Sequence, residues 1–390
     1  MTYACLLLLF IGFALSCPLT AVVRRLGGRL GQLDQPGDRK IHDRPIPATG
    51  GIAIFWALAA PLALAILAVW VVPVAWWEAL LPAAVEHLEG ARSQTPLAIA
   101  LLLAAAALHV TGLIDDRINL GPLLKLGVQL TAAAGLAIFF DIRLLELLGP
   151  VASVTITVLW IVALTNAFNF LDNMDGLSAG VAAVAAAIFL TAALLGGQWF
   201  VAAVLALLLG ALLGFLVFNF PPATIFMGDG GSLVVGFVMA IMSVRITYYD
   251  PAIGIGWWAV LTPMLVLAIP LYDLLSVTLI RISQGKSPLV GDTQHFSHRL
   301  VRKGLSRRAA VIVIWACTAA TGIGAIMLSS ITQPWHAGLI ATQTGLILLI
   351  LALLERTPPP PPTVDPTTSQ AFVDSPQPTA STHEKVGGVR

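Results

Sequence analysis

The sequence predicts an all-α fold, a polytopic integral membrane bundle of about eleven transmembrane helices, and three observations carry that prediction. Of 390 residues, 58% are hydrophobic and 11% charged, against roughly 45–50% and 25% in an average soluble domain. Apolar runs of about 20 residues recur along the chain, each long enough to cross a ~30 Å hydrocarbon layer as a helix. Leucine and alanine runs such as 97–108 and 201–213 lack the alternation a β-barrel needs.

Helices are expected over residues 2–23, 50–72, 96–113, 122–140, 151–168, 177–196, 199–218, 231–249, 255–280, 309–330 and 335–354. The first run lacks a basic lead-in and is followed by Arg24 and Arg25, which suits a retained helix better than a cleaved signal peptide. Residues 73–95 carry proline and tryptophan and suit an interfacial position between two spans. Residues 1–356 read as one membrane-embedded domain. The Pro/Ser/Thr-rich stretch 357–390 cannot bury enough apolar surface to fold and reads as a disordered tail.

An odd number of spans puts the termini on opposite sides. Of 21 lysines and arginines, all but Arg92, Arg143 and Arg245 fall on one side of this scheme. The positive-inside rule makes that side cytoplasmic, with the C-terminus inside and the N-terminus outside. A net charge of +1 and the lack of a long basic stripe argue against nucleic acid as a partner. Cys5, Cys17 and Cys317 sit inside apolar runs and read as core residues, not as disulfides or thiolate metal ligands.

The few carboxylates cluster on the cytoplasmic side: Asp115 and Asp116 in TGLIDDR, Asp172 and Asp175 in NAFNFLDNMDGL, Asp229 in FMGDGGS, and Asp292 in the last basic loop. An Asp-Asp pair at a helix end is by itself often just solvated. Four separate segments bringing acids to one face repel one another unless a cation occupies the centre. Oxygen ligands without cysteine favour Mg²⁺ or Mn²⁺ over zinc.

Asn166, Asn169, Asp172 and Asp175 recur every three residues, which on a helix lines one face with groups able to read a heterocycle and a ribose. Gly228, Gly230 and Gly231 allow close backbone approach to a ligand at a helix N-terminus, where an anion is favoured. Two basic segments complete the face: Arg39, Lys40, His42 and Arg44 before the second span, and His295, His298 and Arg299 in the last loop. Cations opposite a carboxylate cluster suit a pyrophosphate. His295 and His298 lack a third nitrogen or thiolate ligand for zinc. Arg24, Arg25, Arg302, Arg307 and Arg308 read as ordinary orientation charges.

From RKIHDRPIPATGG through LIDDR, NAFNFLDNMDGL, FMGDGGS and the histidine loop, the chain resembles the polyprenyl-phosphate N-acetylhexosamine-1-phosphate transferases. The resemblance implies transfer of a sugar-1-phosphate, first of all GlcNAc-1-phosphate, from a UDP-N-acetylhexosamine to undecaprenyl or another polyprenyl phosphate, with release of UMP. It further implies Mg²⁺ dependence and an active site on the cytoplasmic face of the plasma (inner) membrane. The product would feed an envelope polysaccharide such as O-antigen, and a homodimer is compatible with it. Carried over position by position, Asp229 resembles the Mg²⁺ ligand and Asp115 with Asp116 the catalytic pair, as general base or as nucleophile. Asn169, Asp172, Asp175, Asn219, Phe226 and Gly228 resemble the nucleotide contacts. Lys40, His42, Arg44, Lys125, His295, His298 and Arg299 resemble the phosphate and sugar contacts.

One departure stands out. Where the sugar-phosphate branch carries His-x-His-His, this chain has His295-Phe296-Ser297-His298, so another UDP-N-acetylated sugar stays open as donor, and the pentapeptide-accepting branch, with three histidines in a row, is disfavoured. The rival of another class, a transporter of anionic substrates, predicts ionisable residues near mid-membrane and paired broken helices. Here the acids sit at helix ends.

Overall fold

The computed structural model describes residues 2–34, 45–249, 256–287 and 295–356. Arg39, Lys40, His42, Arg44, Asp292 and the tail 357–390 lie outside the described residues. The described residues all fall within one compact unit.

Helix α1 (Thr2–Leu26) leads to strand β1 (Leu33–Asp34), which pairs antiparallel with β2 (Ile46–Pro47), Asp34 opposite Ile46. After α2 (Gly50–Val71), the expected interfacial segment forms three short helices, α3 (Val74–Leu80), α4 (Pro82–Val85) and α5 (Leu88–Ser93). Then come α6 (Thr95–Ile118), α7 (Pro122–Phe139), α8 (Pro150–Leu171), α9 (Leu177–Leu195), α10 (Trp199–Asn219) and α11 (Asp229–Arg245). The chain continues through α12 (Thr262–Val266), α13 (Ala268–Ser283), α14 (Phe296–Arg302), α15 (Arg307–Ile326) and α16 (Pro334–Arg356). Among the described residues, nine helices are long and apolar enough to cross a membrane, and a bent pair makes up to ten. Large apolar side chains such as Phe10, Leu64, Leu103 and Leu349 stand exposed on the outside of the bundle, as lipid-facing surfaces require and water-facing ones disfavour. The protein is a multi-pass membrane protein.

Two expected spans differ. The single helix expected over 255–280 is broken, with Trp257–Val266 and Ala268–Ser283 meeting at 67°. Pro270 supplies the reason, since it has no N–H for the Val266 carbonyl and its ring clashes with that group. The helix therefore stops at Val266 and restarts, with the Leu271 N–H reaching the Leu267 carbonyl at 3.1 Å. The other difference is α11, whose 17 residues make a rod of only about 26 Å.

That short helix is the centre of the molecule. Every residue from Gly230 to Ser243 is buried, and α2, α6, α8, α9 and α10 pack around it. Where apolar lipid offers no hydrophobic drive, close backbone packing holds helices together. A Cβ on Gly12 of α1 would stand 2.5 Å from the Leu207 carbonyl oxygen of α10. The Ser16 hydroxyl donates to the Ala211 carbonyl at 2.6 Å across the same seam. The cysteines form no disulfide; Cys5 is buried, and Cys17 and Cys317 are half-buried.

Candidate active site

Asp229 opens α11, and Gly228 before it adopts φ +71, a left-handed conformation that glycine takes without strain. The two oxygens of Asp229 face different partners. Oδ1 accepts from Asn169 Nδ2 at 2.9 Å, and Oδ2 accepts from Lys125 Nζ at 2.7 Å. Lys125 Nζ also reaches Asp115 Oδ2 at 2.7 Å. The C-terminal end of α6, the start of α7, the end of α8 and the start of α11 thus converge on one carboxylate.

The next aspartate does something else. Asp116 accepts the backbone N–H of Asp229 on Oδ1 at 2.9 Å and that of Gly230 on Oδ2 at 3.2 Å. It therefore satisfies amides that the first turn of α11 leaves without helical partners, where negative charge is favoured. The approach depends on Gly112, where a Cβ would stand 2.4 Å from the Asp229 carbonyl carbon. Asp115 faces away from this contact, taking the Leu120 N–H on Oδ1 at 2.8 Å.

The expected row of four polar residues does not lie on one helical face. Helix α8 ends at Leu171, with Asp172 as its cap at φ −77, ψ 45. Asn166 turns to Gln129 Oε1 at 2.6 Å, and Asn169 bridges Asp229 and the Ser232 hydroxyl, each at 2.9 Å. Asp175, in the turn beyond, accepts the Ala223 N–H at 2.9 Å. The same turn is fastened by Asn219, whose Oδ1 accepts the Gly176 N–H at 2.9 Å while its Nδ2 donates to the Ile225 carbonyl at 2.8 Å. The amide of buried Asn219 is thus bound to backbone.

Asp172, Asn173, Asp175, Asn219, Phe226, Gly228, Asp229 and Asp116 line a cavity of about 480 Å³, together with His298, Arg307 and Asp34. That volume falls in the range of about 300–1,000 Å³ typical of small-molecule sites. Burial, with the Asp229 and Asp116 carboxylates adding repulsion, pushes the Asp172 carboxyl up to about 8. Burial, helped by His295 and Arg302, holds His298 down to about 4, so at neutral pH it meets a ligand as a neutral imidazole and not as a cation.

The other two members of the last-loop set point elsewhere. His295 Nδ1 lies 2.8 Å from Asp273 Oδ2 in a buried pair, and Arg299 contacts Glu355 at 2.6 Å and Ser276 at 3.2 Å. Ser297 is fully buried, and its hydroxyl donates to Asn173 Oδ1 at 2.7 Å. Several residues were absent from the sequence-derived set, Asp34 and Asn173 of the cavity lining among them. Arg307, read there as an orientation charge, lines the cavity, and His109 places Nδ1 at 2.6 Å from the Gly230 carbonyl oxygen, a contact that requires the proton on Nδ1. An ionisable side chain inside an apolar span was the available signal for His109.

A family model for glycosyl transferase family 4 matches residues 98–247, the stretch from α6 to just beyond α11. The chain is 33% identical to the probable undecaprenyl-phosphate N-acetylglucosaminyl 1-phosphate transferase of Bacillus subtilis, over 80% of this chain and 82% of that one. It is also 33% identical to the decaprenyl-phosphate N-acetylglucosaminephosphotransferase of Mycobacterium tuberculosis, over 78% of each chain. The undecaprenyl-phosphate alpha-N-acetylglucosaminyl 1-phosphate transferase of Escherichia coli is 26% identical, again over 78% of each. With a third of its residues shared along more than three-quarters of such a relative, the chain belongs to glycosyl transferase family 4, the polyprenyl-phosphate N-acetylhexosamine-1-phosphate transferases.

Proposed function

We propose that the protein transfers N-acetylglucosamine-1-phosphate from UDP-GlcNAc to a polyprenyl phosphate at the cytoplasmic face of the plasma membrane. The product is a lipid-linked diphosphate sugar of an envelope polysaccharide pathway. A phosphate oxygen of the acceptor forms the new bond to the sugar-bearing phosphorus of the donor. The bridging oxygen takes the electron pair of the broken bond and leaves with UMP. The relatives named for polyprenyl phosphate and N-acetylglucosamine support the substrates.

The observation that carries the reading is the position of Asp229, which borders the cavity while its Oδ2 is held by Lys125 beside Asp115. A nucleotide sugar in the cavity, against Asp172, Asp175, Phe226 and His298, would present its diphosphate to Asp229. An acceptor phosphate arriving on the Lys125 side would meet a cation instead of bare carboxylates. Asp116 keeps the first turn of α11 in place through its two backbone contacts.

Among the described residues, no three His, Cys, Asp or Glu groups converge as a ready ligand set. The fit to Mg²⁺ rests on the donor chemistry: this ion needs only one or two carboxylates, completing its shell with water and substrate phosphate. Asp229 is the proposed ligand, with Asp115 or Asp172 as the second. When bound, the ion would neutralise diphosphate charge and polarise the phosphoryl oxygens.

The test is UMP release by the purified protein with polyprenyl phosphate and a panel of UDP-sugars, with Mg²⁺ and with EDTA. Release that needs the lipid, one UDP-N-acetylhexosamine and the metal is expected. Well-folded protein that releases UMP from no member of the panel would overturn the reading.

A further inference from the structure

A second cavity, of about 550 Å³, opens at the other end of α11. Arg245 is the last residue of that helix, about 24 Å from Asp229 along the axis at 1.5 Å per residue. The cavity lies between the second half of α2, the segment ahead of α6, and the start of α10.

The three arginines that the sequence assigns to this face differ in how they are satisfied. Arg143 pairs with Asp141 at 2.7 Å. Arg92 donates to the Val69 carbonyl at 3.2 Å and lies over the Trp70 ring. Arg245, which lines the cavity, reaches, among the described residues, only the Gln94 amide oxygen, at 3.3 Å, and its Nε is buried with no acceptor among them. Glu86, on the same wall, is engaged with His87 at 3.1 Å. A guanidinium at the end of a membrane-buried helix, short of acceptors and with no carboxylate paired to it among the described residues, is costly unless an anion completes it. The lining also has an apolar part: Leu62, Ile66 and Val69 of α2, and Phe200 of α10. On the same helix as the first three, Leu67 and Trp70 are exposed on the outside of the bundle.

We propose that this cavity binds one membrane phospholipid with an anionic headgroup, its phosphate on Arg245 and Gln94 and an acyl chain along α2. A free phosphate would use the arginine but leave the apolar wall uncovered, so charge and wall together select an amphiphile. The site lies at the opposite end of the bundle from the Asp229 cavity and stands independently of the proposed reaction.

The experiment is native mass spectrometry of the full chain released from detergent containing phosphatidylglycerol or phosphatidylcholine with matched acyl chains. One retained phosphatidylglycerol per chain is expected, favoured about tenfold over phosphatidylcholine, whose choline cation offsets the phosphate charge beside Arg245. R245Q should equalise the two lipids, R245K should keep part of the preference, and R143Q should leave it unchanged. Because R245K retains the charge, it separates lost binding from lost folding. Wild-type protein that shows no preference, or R245Q that keeps it, overturns the proposal. So does a lipid-free pair of chains that R245Q separates, which would assign the cavity to a second copy.

Discussion

Lys125 holds Asp115 and Asp229 on one ammonium, 2.7 Å from each, and so ties the end of α6 to the start of α11. Removing it leaves two carboxylates facing one another with no cation between them, so K125M should lower UMP release by about a hundredfold or more. The same change removes a cation that competes with metal for these oxygens. Added Mg²⁺ should therefore raise the melting temperature of K125M more than that of wild type. A smaller metal response in the variant would refute the competition.

Asn169 joins Asp229 to Ser232 with both bonds from one amide nitrogen. N169L should cost about 1–3 kcal/mol of transition-state stabilisation, a roughly five- to 150-fold loss of kcat/KM, through misplacement of Asp229. Steady-state kinetics decide this, and a variant within twofold of wild type rules it out.

The carboxyl of Asp172, raised to about 8, makes a pH prediction. Its folded value lies above the unfolded value of about 3.9, so its contribution to stability is complete below that value and is lost as pH rises through about 8. His298, lowered to about 4, acts in the opposite sense, between about 4 and 6.5, and is spent above that window. Between pH 6.5 and 8, then, protein kept in EDTA should melt at falling temperature. D172N should flatten that slope, and a slope unchanged by D172N would assign it elsewhere.

Gly228 combines φ +71 with a site where a Cβ would stand 2.7 Å from Asp116 Oδ2, whereas Gly197, at φ +64, has open space around its Cβ position. G197A should cost about 1 kcal/mol from backbone strain alone. G228A should cost more and abolish activity, because Asp116 cannot then keep its hold on Asp229 and Gly230. Equal melting temperatures for the two variants would contradict the argument.

Ser297 is buried and bonded to Asn173, which lines the cavity. S297A should raise the KM for the donor up to about tenfold, the value of one lost buried hydrogen bond. S297H should be worse, since an imidazole has no room at a fully buried serine. A kcat loss with KM unchanged would place the effect away from donor binding.

Much of this was legible in the sequence because it depends on local pattern. Apolar runs mark the helices, and acids such as Asp115 and Asp229 are conspicuous at their ends. The three-residue period of Asn166, Asn169, Asp172 and Asp175 misled because it assumes a helix that persists, while α8 stops at Leu171 and the register is lost there. The break before Pro270 was written in the sequence and outweighed by the surrounding hydropathy. Partners far apart in the chain left no local trace: Asp273 waits for His295, and Ser297 for Asn173, 124 positions away. Arg307 resembles any basic residue beside a span until the fold brings the Asp172 turn to it.

The 17-residue α11 is enclosed by longer neighbours, 22 residues in α2, 24 in α6 and 21 in α10. A central column shorter than its walls leaves a well at each end. One well holds the carboxylates below the rim of the bundle, where water is scarce and each charge is felt more strongly. The other leaves an arginine at the bottom of a greasy shaft. A single shortfall of helix length thus leaves room for two recesses, one lined by aspartates and one holding an arginine.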